Sequence, residues 1–225
     1  MNPRAEILAN IRASLRRGAL LEDANRALEK RIARAPALVS GRATANAPEL
    51  LARFSEMAKR SGATVVMVED ARELGREIAR FLGQESLPRT VRMAPDPALD
   101  YIALVKQTGF SIARGGAEPS DRIGLTGALA GIAETGTLML ATGPMQPMTL
   151  ALLVEAHIVV LPRAAIVGGY EEAMERFRAG GGVHVLPRAV TFVTGPSRSA
   201  DIEQKIQYGA HGPRRLHIIV LEKSP

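Results

Sequence analysis

Short runs of β-branched and apolar residues, each bounded by turn signals and separated by stretches of helical spacing, limit the fold more than any other feature of the chain. Thr64-Val-Val-Met-Val68, His157-Ile-Val-Val-Leu-Pro162, Ala189-Val-Thr-Phe-Val193 and Leu216-His-Ile-Ile-Val-Leu221 read as buried strands. Thr90–Met93 is a weaker candidate, Phe110–Ala113 an alternating strand, and Leu138–Ala141 a strand ending at Thr142-Gly-Pro144. Helical spacing occupies Leu50–Ser61, Ala71–Leu82, Leu99–Gln107, Met148–Ala156 and Tyr170–Arg178. This alternation predicts an α/β fold, a mostly parallel sheet flanked by helices. Ligands of such sheets sit beyond the carboxyl ends of the strands.

The first 40 residues differ in character. Asn2-Pro3 is a good helix opening, and Ile7, Leu8, Ile11 and Leu15 recur at helical spacing with Arg4, Arg12 and Arg16 on the other side. Gly18 ends this helix, and Leu21–Ala35 reads as a second one closed by Pro36. With Ser40–Pro48 as a linker, the chain divides into an N-terminal helical arm, 1–40, and an α/β domain, 48–222. The arm either pads the body or supports a homo-oligomer.

Composition removes several function classes. The 225 residues include no cysteine, so disulfides, thiolate catalysis and an iron–sulfur cluster held by the chain's own thiolates are excluded. The net charge of +6 raises nucleic acid as a partner, but aromatics are 4% with no Trp, and the arginines are dispersed along helices, so that partner is disfavoured. No apolar run approaches the roughly 18 residues of a membrane span, and a cytoplasmic location is expected. No Walker or Rossmann glycine pattern occurs, which disfavours ATP and NAD, and no cofactor is assigned. His157, His184, His211 and His217 show no metal-ligand spacing, so no metal is assigned either.

Two segments carry candidate chemistry. In Gly124–Gln146, small residues and hydroxyls crowd around one carboxylate, Glu134, flanked by Ala133, Thr135, Gly136 and Thr137. A ligand or another backbone could approach closely there; the alternative is a tight turn whose Glu accepts backbone N–H bonds. In Thr194–Asp201, Gly195, Ser197, Arg198 and Asp201 follow a strand, and helical residues 200–206 would add free N–H groups to an anion pocket. His211 lies in a glycine–proline loop beside Arg214 and Arg215. The expectation is that Glu134 and Arg198 face each other across one rim of the sheet, with Glu134 as the catalytic candidate and the others binding a small anion.

Ala133-Glu-Thr-Gly-Thr-Leu, His157-Ile-Val-Val, Thr194-Gly-Pro-Ser-Arg-Ser-Ala-Asp-Ile-Glu203 and Gly209-Ala-His-Gly-Pro-Arg-Arg-Leu-His-Ile-Ile-Val220 together resemble the LUD domain family. The resemblance runs in consistent order from about Glu49 to Leu221. It implies a fold related to the sugar-phosphate isomerase and CoA-transferase superfamily. It also implies a role in oxidising L-lactate to pyruvate beside iron–sulfur partner proteins, without an established catalytic residue set. An accessory subunit is one reading. A stand-alone isomerase or transferase using Glu134 on a carboxylate or phosphate is the other, and a ligand sensor is a third.

Overall fold

The computed structural model describes residues 3–16, 18, 20–33, 46–103, 109–181, 187, 189–202 and 205–223; for 103, 179–181, 200–202 and 205–206 it describes the backbone alone. The chain separates into two compact units, Met1–Leu38 and Val39–Pro225. The first holds helices α1 (Pro3–Ser14) and α2 (Glu22–Ala33). Ile7, Leu8, Ile11 and Leu15 are all exposed. Pro36 and most of the expected linker lie outside the described residues.

The second unit opens with α3 (Ala47–Arg60). Asn46 accepts from the Glu49 N–H at 3.1 Å, and the Glu49 carboxylate accepts from the Asn46 N–H at 3.2 Å, a reciprocal cap that fixes where the helix starts. Strand β1 (Thr64–Val68), α4 (Ala71–Gln84), β2 (Thr90–Met93), α5 (Asp100–Ala103), β3 (Ser111–Arg114) and β4 (Ile123–Gly127) follow. Next come β5 (Ala130–Ile132), β6 (Thr137–Ala141), α6 (Thr149–Leu152), β7 (Ala156–Pro162) and β8 (Ile166–Val167). The chain continues through α7 (Tyr170–Gly181), β9 (Val190–Val193), β10 (Arg198–Ile202), β11 (Lys205–Tyr208) and β12 (Arg215–Leu221).

The main sheet has six parallel strands in the order β1-β12-β7-β4-β2-β3. In β12, Leu216, Ile218 and Val220 face a core with Leu51, Phe54 and Ala58 of α3, while Ile219 and Leu221 face a second core with Leu74, Ile78 and Leu82 of α4. A strand buried on both faces needs a continuous apolar run, which is why this one was readable. The expected α/β architecture is present.

Four expectations need correction. The strand at Leu138–Ala141 and the one at 189–193 do not join the parallel sheet: β6 pairs antiparallel with β5 and with β9, and β8 completes a separate four-stranded sheet. Residues 133–136 are a tight turn, too short for the crossover that a parallel pair requires. Of residues 200–206, the described ones, 200–202 and 205–206, lie in strands: β10 and β11 pair antiparallel, so among the described residues no helix N-terminus stands beside Arg198. The helix expected over Met148–Ala156 is confined to Thr149–Leu152 because Ala156 already pairs in β7. Of the helix expected over Leu99–Gln107, Pro97–Leu99 is a 3-10 turn and α5 ends at Ala103, while 104–107 lie outside the described residues. Among the described residues no helix is long and apolar enough to cross a membrane.

Candidate functional site

The chain leaves β2 outward to β3 but leaves β4 in the opposite direction to β7, so the winding of the main sheet reverses between β2 and β4. Connections on either side of such a reversal diverge and open a crevice beyond the strand ends. A cavity of about 220 Å³ occupies that place. It is lined by Asp96, Leu99 and Tyr101 after β2, by Gly127–Leu129 after β4, by Val160 and Pro162 of β7, and by Gln146.

Its polar groups are few and fixed. Asp96 precedes Pro97 in the 3-10 turn and uses Oδ1 to accept the Ala98 N–H at 2.9 Å. Its Oδ2 accepts from Gln146 Nε2 at 2.6 Å. Gln146 is held by a turn in which Gly143 and Gln146 exchange backbone hydrogen bonds of 3.2 and 3.1 Å. A Cβ at Gly127 would stand 3.4 Å from Gln146 Nε2, an ordinary van der Waals contact. Burial, and then the charge of Asp96, push the Tyr101 phenol above its ordinary range.

The segments singled out from sequence do come together, though elsewhere. Pairing of β6 with β9 brings Thr137 Oγ1 to 2.7 Å from Thr194 Oγ1. Thr135 Oγ1 lies 2.7 Å from Thr137 Oγ1, and the Tyr170 hydroxyl lies 3.1 and 3.2 Å from the two, which makes a cluster of four hydroxyls. Glu134 is half-buried in the β5–β6 turn, where its N–H donates to Gly168 O at 3.1 Å.

Both glycines serve close approach of another backbone. Gly136 has φ +67°, and a Cβ there would lie 2.2 Å from Ala58 N; Gly195 has φ +76°, and a Cβ there would lie 2.2 Å from Ser61 O. Arg198 donates from Nη2 to the Ser61 carbonyl, a cation placed on the carboxyl end of α3. Ser197 donates its N–H to Pro213 O at 2.8 Å and accepts at its carbonyl from Gly209 N–H at 3.0 Å, so this turn is tied to the loop holding His211.

Since β1 starts just beyond Ser61, and β12 just beyond Pro213 and Arg214, the Thr194–Arg198 turn stands at the amino rim of the parallel sheet. The expectation that a parallel strand delivers it to the carboxyl rim is corrected: β9 belongs to the other sheet. Asp201 lies in β10 by its backbone. His211 is exposed in an open groove of about 530 Å³ with Leu152–Glu155 and Gly209–Gly212. Glu155 at that groove is held below the usual carboxylate range first by the Arg122 guanidinium and then by Arg215 at 2.7 Å, despite the opposing effect of burial.

Residues 120–221 match the family model of the LUD domain. Residues 120–221, less than half of this chain, are therefore similar to the LUD domain. The matched part contains β4 to β12 and Gly127–Leu129, Gln146, Val160 and Pro162 of the cavity; Asp96 and Tyr101 precede it. Lactate utilization protein C of Halalkalibacterium halodurans is 36% identical over 108 residues, which span 47% of this chain and 46% of that protein. An uncharacterized protein of Neisseria meningitidis is 38% identical over 98 residues, spanning 44% and 41%. The match therefore covers less than half the length of these relatives. The crystal structure of a DUF162 family protein from Deinococcus radiodurans superposes with a TM-score of 0.58 at 27% identity, over 79% of this chain and 99% of that one.

Asp96, Tyr101 and Gln146 carry no motif that marks them in the sequence. The available signal was the strand-end rule applied to β2: Met93-Ala-Pro-Asp-Pro97 is the segment that leaves its carboxyl end.

Proposed function

We propose that this chain is a LUD-domain protein and an accessory component of L-lactate utilization, acting in the cytoplasm beside iron–sulfur proteins that take up the electrons released as lactate becomes pyruvate. The observation that carries the reading is the similarity to lactate utilization protein C over 44–47% of this chain, at 33–36% identity in the Halalkalibacterium and Geobacillus proteins. The absence of cysteine supports it, because a cluster ligated by cysteines must then sit on another subunit. In this reading residues 48–222 are the LUD-type body, related to the isomerase and CoA-transferase fold, and the arm of residues 1–40 supports homo-oligomer contact. A small anion is assigned to the amino rim, with Ser197, Arg198, Asp201 and His211. The test is affinity capture of the tagged chain from lactate-grown cells. Iron–sulfur proteins with their absorbance and paramagnetic signal should co-elute at a fixed ratio, and their absence would count against the assignment.

A second reading, an isomerase or transferase with Glu134 as base or nucleophile, is favoured by the hydroxyl cluster of Thr135, Thr137, Tyr170 and Thr194, which begins at the residue after Glu134. A Glu134→Gln variant that folds normally separates the two. Loss of lactate-supported growth in that variant favours the enzyme, and full complementation favours the accessory role.

A further inference from the structure

The cavity at the β2/β4 crevice has a chemistry that differs from the amino rim. Its walls are aliphatic over most of their surface: Ala98, Leu99, Ala128, Leu129, Ala141 and Val160. The polar groups stand at Asp96, Gln146 and Tyr101. Among the described lining residues there is no lysine, arginine or histidine. Among the described residues each Asp96 oxygen accepts one hydrogen bond, from the Ala98 N–H and from the Gln146 amide, and a carboxylate oxygen can accept another. A ligand entering here therefore meets a fixed negative charge with spare acceptor capacity.

A carboxylate brought into this space would face Asp96 in a partly dehydrated site with no described cation to offset the repulsion. An ammonium would gain from the same charge, and a hydroxyl would gain a charge-assisted hydrogen bond. The volume of about 220 Å³ suits a molecule of a few carbons.

We propose that this cavity binds a small neutral or cationic molecule that offers a hydroxyl or ammonium donor to Asp96 and lays a short aliphatic body on Leu99, Leu129 and Val160, and that it rejects carboxylates of equal size. The site is distinct from the anion site assigned to the amino rim, and the inference stands whether or not the lactate reading does. Lactate itself is excluded from the cavity.

Three probes with one carbon skeleton test it: 1-aminopropan-2-ol, propane-1,2-diol and L-lactate, titrated into the full chain and followed by backbone amide shifts. The amine and the diol should shift Gly127, Leu129 and Gln146 saturably, with the amine at least about tenfold tighter than lactate at these amides. Asp96→Asn should weaken the amine by about tenfold or more and the diol by less than about threefold. Ala128→Leu should abolish both while the melting curve stays cooperative, which separates a filled cavity from an unfolded chain. Lactate shifting the same amides at equal or lower concentration overturns the proposal, and so does the absence of any shift there by all three probes.

Discussion

Replacing Gly136 by alanine tests why the Ala133-Glu-Thr-Gly-Thr137 turn has its composition. At φ +67° an L side chain costs about 1–2 kcal/mol relative to glycine. The added Cβ would also lie 2.2 Å from Ala58 N and 2.5 Å from Met57 C, atoms of the α3 backbone that cannot rotate away. Relief requires α3 to shift against the sheet, an overpacking cost of about 1–3 kcal/mol. Together Gly136→Ala should destabilise the fold by about 2–5 kcal/mol, a large share of the roughly 5–15 kcal/mol of a typical domain. Urea unfolding should show a midpoint lower by about 1–2 M with an unchanged slope. Because the clash is with backbone, Ala58→Gly in the same chain should recover less than about 0.5 kcal/mol. Gly83 is the control: it lies in α4 with nothing within 4 Å of an added Cβ, so Gly83→Ala should be neutral or stabilise by up to about 1 kcal/mol. A Gly136→Ala chain within about 0.5 kcal/mol of the natural one would refute the close-approach account and return the turn to ligand binding.

Two further outcomes concern the main sheet. His157 is fully buried with Nε2 2.8 Å from Thr126 Oγ1, and burial lowers its pKa from the ordinary 6.5 to about 4. The folded chain thus binds fewer protons than the unfolded one between those values, so stability is complete above about 6.5 and falls as pH drops toward 4, by up to about 3 kcal/mol. Unfolding midpoints at pH 7.5, 5.5 and 4 should show this loss, and a His157→Asn chain should lose the part due to this group. Removal of 215–225 takes away β12 from between β1 and β7, so the shortened chain should show no cooperative thermal transition by circular dichroism.

The elements legible in the sequence are those whose side chains all point into apolar surroundings. β7 and β12 keep β-branched and aliphatic residues at nearly every position because helices and neighbouring strands cover the sheet. β4 was hidden by its glycines: Gly124 reads as a breaker, yet a Cβ there would stand 2.4 Å from Leu150 O, so the strand needs glycine to let α6 close on it. The antiparallel sheet was also hidden. The residues of β6 and β9 announce strands, but neither their partners nor their direction, and those follow from the tight turn at 133–136 and from the pairing of Leu138 with Val193. The two sequence motifs meet through Thr137 and Thr194, whereas the expectation concerned Glu134 and Arg198. The local sequence does not distinguish a glycine kept for a ligand from one kept for a helix. The cavity was illegible because Asp96 and Gln146 stand 50 residues apart and owe their hydrogen bond to the reversal of winding between β2 and β4.

The most direct test of the lactate assignment is growth of a strain lacking this chain, with L-lactate or pyruvate as sole carbon source. Failure on lactate, normal growth on pyruvate and recovery by the restored chain are the predicted results. Equal growth on lactate with and without the chain would contradict the account.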